Sequence, residues 1–414
     1  MCMCCVAACS PGGERAGAGR TEPPSTQQPL TPVTIEMAGP TPAGARNAMP
    51  PPTAQPLPST FSLRFVGDLM CCNLQIAGAL QSDGSYDFNP PFDAIRKHLQ
   101  GADVLFGNLE TNVYDGRPVN GEKKFFNAPP AYLDAIKNCG FDVLFTANNH
   151  ALDVGVAGQL ATIEQVRARG MDPVGSNLTP REAEQIYMRE VKGVRMAVLS
   201  YTGFTNKHDP EDFLLDGTDA SWAMNLYTAG RMETDVAAAR QRGADVVVMY
   251  LHEGWEKTTK PNKRQLAAAD AAFAAGVDVL VMSHTHSLLP METRRVVVDG
   301  VEKTVFCAYG LGNFMSSALP EEALNNIILN LTLTYDPVQG KLTGLDAAYL
   351  LTYTYNYYDE NGVRQFAVVG MEDAFADPSC LPVRVKTNPE RVRQAYERML
   401  ARIGTDDATP VGAF

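Results

Sequence analysis

Asp278-Val279-Leu280-Val281-Met282-Ser283-His284-Thr285-His286 is a short apolar run that empties into two histidines. A continuous apolar run of this length fits a strand covered on both faces. The same grammar stands upstream, where Asp245-Val246-Val247-Val248-Met249-Tyr250-Leu251 leads into His252-Glu253-Gly254. A helical pattern from Gln265 to Ala275 separates the two. Earlier still, Leu63-Arg64-Phe65-Val66 ends in Gly67-Asp68, and Asp103-Val104-Leu105-Phe106 ends in Gly107-Asn108-Leu109-Glu110. Asp142-Val143-Leu144-Phe145-Thr146-Ala147 runs into Asn148-Asn149-His150. Helical patterns intervene at Phe92 to Leu99, Ala131 to Asn138, Leu160 to Arg169 and Met232 to Arg242, and Met196 to Tyr201 reads as a further strand. Strands alternating with helices predict a layered α/β domain.

The polar residues fall at one end of these strands. In open α/β sheets the carboxyl ends of the strands form the ligand crevice. Asp68, Glu110, Asn149, His150, His252, His284 and His286 are therefore expected to converge. Four of the chain's six histidines are in this set. Carboxylates, an amide oxygen and imidazoles suit a divalent transition metal such as Mn, Fe, Zn or Co. Two such ions can activate water and clamp the oxygens of an in-line phosphoryl displacement. His150, next to Asn149, is placed to donate a proton to a leaving group. In an extended segment His284 and His286 would point the same way. Glu253 and Glu256 flank Trp255. They either line the cleft as acid or base groups or stand as solvated loop charges. Singly, Asp68 also suits a turn, Asn108 and Glu110 a cap, and Asn149 a left-handed turn. Their order and shared strand-end position favour a site.

Composition narrows the function classes. Hydrophobic residues make up 45% and charged residues 20% of 414, ordinary for a globular protein. The formal charge of −12 argues against a nucleic-acid partner, which needs a basic surface. No run approaches the ~20 apolar residues of a membrane-crossing helix. The nine cysteines are crowded at the N-terminus or scattered, which does not suit a disulfide framework.

The ordered set Phe65-Val66-Gly67-Asp68, Gly107-Asn108-Leu109-Glu110, Ala147-Asn148-Asn149-His150-Ala151-Leu152-Asp153, His252-Glu253-Gly254-Trp255-Glu256, Ser283-His284-Thr285-His286 and Tyr309-Gly310-Leu311-Gly312-Asn313-Phe314 resembles the CapA capsule-synthesis family. The resemblance covers about Ser62 to Ser317. Members of that family are associated with poly-γ-glutamate capsule production and are similar to calcineurin-like metallophosphoesterases. The resemblance implies a metallophosphoesterase-like αββα sandwich. It also implies one or two divalent ions (Mn, Fe or Zn) held by Asp68, Asn149, His252, His284 and His286, to which the strand-end reading adds Glu110. The resemblance places His150 near the substrate and implies components of a capsule polymer synthase as partners; with His150, the residues themselves offer Glu110 and Glu253 as candidate catalytic groups. The alternatives are an extracytoplasmic phosphoesterase and a non-catalytic binding module. Two departures bear on the metal. Met70 stands where phosphoesterases place a histidine. Asn108 stands where they place a bridging aspartate, leaving Asn108 or Glu110 to serve. Asn313 either orients a site group or packs.

The flanks read differently. Val6-Ala7-Ala8-Cys9-Ser10 is similar to a bacterial lipobox, with small residues before a cysteine. This predicts residues 1–9 as a truncated signal, a lipidated Cys9 and an extracytoplasmic, membrane-anchored protein. Residues 10–60, rich in Pro, Gly, Thr and Ala, predict a disordered tether. Residues 61–318 form the family-like domain. Residues 319–414 add alternating strands, expected in a second sheet, and a closing helix from Pro389 to Ile403. The tyrosines at 353, 355, 357 and 358 are expected to pack within these strands.

Overall fold

The computed structural model describes residues 56–122, 125–317, 321–377, 379, 389–403 and 409–410. The lipobox at Cys9 and the tether up to residue 55 lie outside the described residues. The last two residues assigned to the tether are strand instead. Ser59 and Thr60 pair with Tyr335 and Thr334, so the backbone ladder orders them.

Among the described residues, fourteen strands build the two main sheets, and thirteen of them are numbered in chain order. They are β1 (Ser59–Leu69), β2 (Val104–Leu109), β3 (Val143–Phe145), β4 (Asp172–Val174), β5 (Tyr187–Val191), β6 (Val194–Thr202) and β7 (Val246–His252). β8 (Val279–Ser283), β9 (Met291–Val298), β10 (Val301–Ala308), β11 (Asn325–Asp336), β12 (Lys341–Tyr358) and β13 (Arg364–Gly370) follow. One sheet has the order β13-β12-β11-β1-β2-β3-β4, with Thr409–Pro410 beside β12. The other has the order β9-β10-β8-β7-β6-β5. β1 to β4 are parallel, as are β6, β7, β8 and β10. The C-terminal strands do not make a second sheet. β11 pairs antiparallel with β1 from Ser59↔Tyr335 to Val66↔Ile328, and β12 and β13 extend it. β1 would otherwise be an open edge with unpaired backbone groups, which β11 satisfies.

The two sheets pack face to face. Alternate residues supply the inner faces: Phe61, Leu63 and Phe65 of β1, Phe106 of β2, Phe145 of β3, and Val246, Val248 and Tyr250 of β7 share one buried core. The intervening parity faces outward. Leu105, Leu109 and Leu144 pack with Tyr132, Leu133 and Ile136 of α1 (Ala131–Asn138). A further helix, α2 (Gly155–Ala168), follows in the chain. On the other side Val247, Met249 and Leu251 pack with Met232 and Val236 of α3 (Ala229–Gln241) and Ala269 and Phe273 of α4 (Lys263–Ala275). The result is the αββα sandwich. α4 starts at a capping box between Asn262 and Gln265 and stops at Gly276, whose φ of 107° is left-handed. The closing helix is α5 (Pro389–Ile403), and Val392, Ala395 and Met399 join the inter-sheet core cluster. Among the described residues no helix is long and apolar enough to cross a membrane, and Cys71, Cys72, Cys139 and Cys307 are free thiols.

One irregularity aims the site. The β1–β2 register passes from Phe65↔Phe106 to Asp68↔Asn108, one extra residue on β1. A one-residue bulge flips side chains to the opposite face. Asp68 therefore shares the inner face with Phe65 and Asn108, while Val66 and Leu69 stay outside. Gly67 within the bulge lies against the Gly312 carbonyl, which also accepts from the Asp68 amide. A Cβ at Gly67 would sit 1.8 Å from that oxygen. Gly67→Ala is expected to cost about 3 kcal/mol, because backbone rather than a side chain must move. A urea midpoint unchanged from wild type would refute this.

Candidate metal centre

The inner-face parity that carries Phe106 continues to Asn108 and Glu110, and that of Tyr250 continues to His252. Asp68, Asn108, Glu110 and His252 are all fully buried. Ser283 ends β8 on the same face and donates its hydroxyl to Asp68 Oδ1. Asn149 Oδ1 lies 2.8 Å from His252 Nε2, and Asn149 donates to Asn206 Oδ1 at 3.1 Å. Asp68, Glu110, Asn149, His252, His284 and His286 are thus brought together, as the strand-end positions predicted.

The His284-Thr285-His286 segment is not extended. β8 ends at Ser283, and His284 and His286 have φ of 97° and 52°. Left-handed φ at a non-glycine residue costs about 1–3 kcal/mol and clusters at functional sites. Both rings still enter the site, as expected, with centroids 5.8 Å apart, but they meet different partners. His284 Nδ1 lies 3.2 Å from His252 Nε2, whereas His286 Nδ1 lies 3.1 Å from Asp68 Oδ2. Asn313 Oδ1 sits 2.8 Å from the same His286 nitrogen, so Asn313 orients a site group.

Two donor sets result. Glu110, His252 and His284 offer ligand atoms within 4.8 Å of one another, as do Asp68, Glu110 and His286. The electrostatics of His252 and His284 fit cation ligation. Burial, and then the neighbouring His284 charge, hold His252 well below the usual histidine range. Burial and His286 bring His284 down to about 4. Both rings are therefore neutral near pH 7 and can present lone pairs. Burial alone would raise Asp68, but the hydrogen bond and charge of His286, with His252 and Ser283, bring it to about 2. Burial lowers His286, yet Asp68 outweighs it and raises it above its ordinary value. Burial and the adjacent Asp68 charge push Glu110 well above the carboxylate range. Its Oε1 is buried with no hydrogen-bond partner. A buried polar atom left unpaired costs about 1–3 kcal/mol, and a cation would satisfy it.

His150 stands beside the donor sets. Its Nδ1 pairs with Asp153 Oδ2 at 2.7 Å, and its ring packs on Phe126 with centroids 4.5 Å apart. Asp153 thereby fixes the ring orientation. His150 and Glu256 line two adjoining hollows. One, of about 480 Å³, also meets Met70, Lys257, His286 and Arg402; the other, of about 600 Å³, meets Asn206, Lys207 and His208. Glu253 is placed elsewhere, which corrects its expected catalytic role. It follows His252, so strand alternation turns it to the outer face. There its carboxylate pairs with Arg264 of α4 at 3.0 Å. Glu256 is the loop carboxylate that reaches the cleft.

Two contributors escaped the sequence reading. Tyr250 OH lies 3.1 Å from His252 Nδ1. Its position two residues before His252 on one strand face was the available signal. Asn206 approaches His150 from the loop after β6 and donates its backbone N–H to the Asn149 carbonyl. No sequence pattern marks it.

A family model described as "Bacterial capsule synthesis protein PGA_cap" matches residues 62–318, more than half of the chain and all of the strand ends above. "Capsule biosynthesis protein CapA" of Bacillus anthracis is 31% identical over 228 residues, 54% of this chain and 53% of that protein. "PGA biosynthesis protein CapA" of Bacillus subtilis is 28% identical over 263 residues, 61% of this chain and 63% of that protein. The chain spans less than two thirds of the length of either relative. Among solved structures, the NAD nucleotidase of Haemophilus influenzae aligns with a TM-score of 0.44 at 10% identity, over 86% of this chain and 58% of that one.

Proposed function

From the premise that this chain belongs to the bacterial capsule synthesis protein family PGA_cap, we propose that it serves poly-γ-glutamate capsule synthesis at the cell surface through a metal-dependent hydrolase centre. The reading includes a membrane tether through Cys9 and capsule polymer synthase components as partners. The names of the Bacillus relatives support the capsule assignment. The observation that carries the hydrolase part is the unpartnered, buried Glu110 Oε1 among His252, His284, His286 and Asp68. The donor set suits Mn, Fe or Zn.

When bound, a divalent cation supplies positive charge that lowers the proton affinity of water and offsets charge developing on substrate oxygens. The remaining tasks fall to side chains. Lys257 and Arg402 line the hollow beside His286 and bring positive charge to it that suits an anionic chain. His150, held by Asp153, faces both hollows and delivers a proton to the departing group.

The test is metal analysis of the purified protein followed by turnover assays on γ-glutamyl chains and on phosphodiesters. Turnover of the first supports the capsule-polymer reading; turnover of the phosphodiester alone moves the protein to the phosphoesterase alternative. Absence of metal and of turnover, with His284→Ala behaving as wild type, sinks the enzymatic reading. His150→Gln is expected to lose about 10²- to 10⁴-fold in turnover, the usual worth of a positioned acid or base. Its metal content should stay at the wild-type level, because His150 belongs to neither donor set. An unaltered rate would remove His150 from proton transfer.

A further inference from the structure

We infer that Glu110, and not residue 108, is the carboxylate that bridges two divalent cations in this protein. The inference rests on the metal-dependent reading above and specifies how the centre is divided.

Glu110 is the one residue common to both donor sets among the described residues. Its Oε1 lies 3.7 Å from His252 Nε2 and 3.8 Å from His286 Nε2. Those separations exceed hydrogen-bond reach. They remain within the span of two ligand bonds of about 2.1 Å to one ion. The two histidines belong to different sets, so a single oxygen faces both. The left-handed turn reinforces the division, since it sends His284 to the His252 side and His286 to the Asp68 side.

Asn108 is excluded as the bridge by the orientation of its amide. Asn148 Nδ2 donates to the Leu109 carbonyl at 2.8 Å, and Asn148 Oδ1 accepts from the His150 amide at 3.1 Å. Backbone groups therefore fix which end of Asn148 is which. Its Nδ2 also reaches Asn108 Oδ1 at 3.2 Å, so that oxygen is occupied. The Asn108 Nδ2 then points inward and donates to Asp68 Oδ1 at 2.7 Å and Glu110 Oε2 at 3.2 Å. An amide NH₂ carries no lone pair for a metal. Asn108 is instead a neutral brace between two carboxylates that would otherwise repel. Moving the bridge two residues along the same strand face keeps it on the inner side, and the longer side chain of glutamate covers the added distance.

The experiment uses the whole protein loaded with Mn(II) alone. Bound metal is counted by mass spectrometry after dialysis, and the low-temperature electron paramagnetic resonance signal reports exchange coupling between neighbouring ions. Wild type should hold two ions per chain with a coupled signal. Glu110→Gln, nearly isosteric, should hold at most one ion and show only an isolated signal, with folding checked by circular dichroism. Two coupled ions in Glu110→Gln overturn the inference. So does an uncoupled wild-type signal or a single wild-type ion, even if that variant fails to fold. Two coupled ions in a wild type that hydrolyses neither substrate would instead defeat the hydrolase reading and leave the bridge standing.

Discussion

His252→Ala is expected to weaken Mn(II) binding by more than about 100-fold and to abolish the rise in melting temperature that the metal produces. Outer partners of metal ligands alone are worth about 10- to 100-fold in affinity, and His252 is placed as a ligand itself. Its ring is fully buried at the end of β7. Nε2 faces Glu110 Oε1, His284 Nδ1 and Asn149 Oδ1. Burial keeps the ring neutral near pH 7. In the tautomer that frees Nε2, Nδ1–H donates to the Tyr250 hydroxyl oxygen, 3.1 Å away. Removing the imidazole thus removes one ligand and leaves Glu110 with fewer groups to share a cation. A metal at 100 times its dissociation constant stabilises the folded state by about 2.7 kcal/mol, and the variant should lose most of that. Titration calorimetry with Mn(II) measures the affinity, and thermal unfolding with and without chelator measures the linkage. Wild-type affinity in His252→Ala would show that the donor sets do not hold the ion.

The strand ends could be read from sequence because burial and alternation act locally. An apolar run must be covered, and the residue that ends it must lie at the sheet's rim. Phe106, Asn108 and Glu110 share one parity, and so do Tyr250 and His252, so their common face follows from the two-residue period. The same period also assigns Glu253 to the outer face, where Arg264 meets it. Three features were not legible. The bulge at Gly67 that turns Asp68 inward depends on the close approach of the Gly312 carbonyl from a segment far along the chain. The left-handed turn through His284 and His286 is held by contacts with Asp68, Asn313 and His252, and nothing in Ser-His-Thr-His announces it. The placement of β11 beside β1 is a choice between sheet edges. A strand's alternation shows that it has two faces and says nothing about its neighbour. Long-range pairing and backbone strain, not the identity of the ligands, are what the structure adds.

Phe145→Ala should cost about 3–5 kcal/mol, the range for truncating a buried phenylalanine, and should also disturb the metal centre. The ring is nearly inaccessible to solvent. It stacks on Phe106 with centroids 5.6 Å apart and on Tyr250 at 4.2 Å, so it joins the two sheets across the inner core. Phe65 extends the stack from β1, 4.7 Å from Phe106. At the other end the Tyr250 hydroxyl meets His252. The stack is therefore a structural core whose last member orients a ligand. Two variants separate these roles. Tyr250→Phe keeps the ring and loses the hydroxyl, so it should barely shift the urea midpoint yet weaken Mn(II) binding about 10- to 100-fold. Phe145→Ala should lower the midpoint strongly and weaken binding as well, because Tyr250 loses the ring that fixes its position. Combining the two should give less than the sum of their effects on affinity, as expected for residues in contact. Full additivity would mean that Phe145 supports the sandwich without positioning His252, and that the core and the centre are energetically independent.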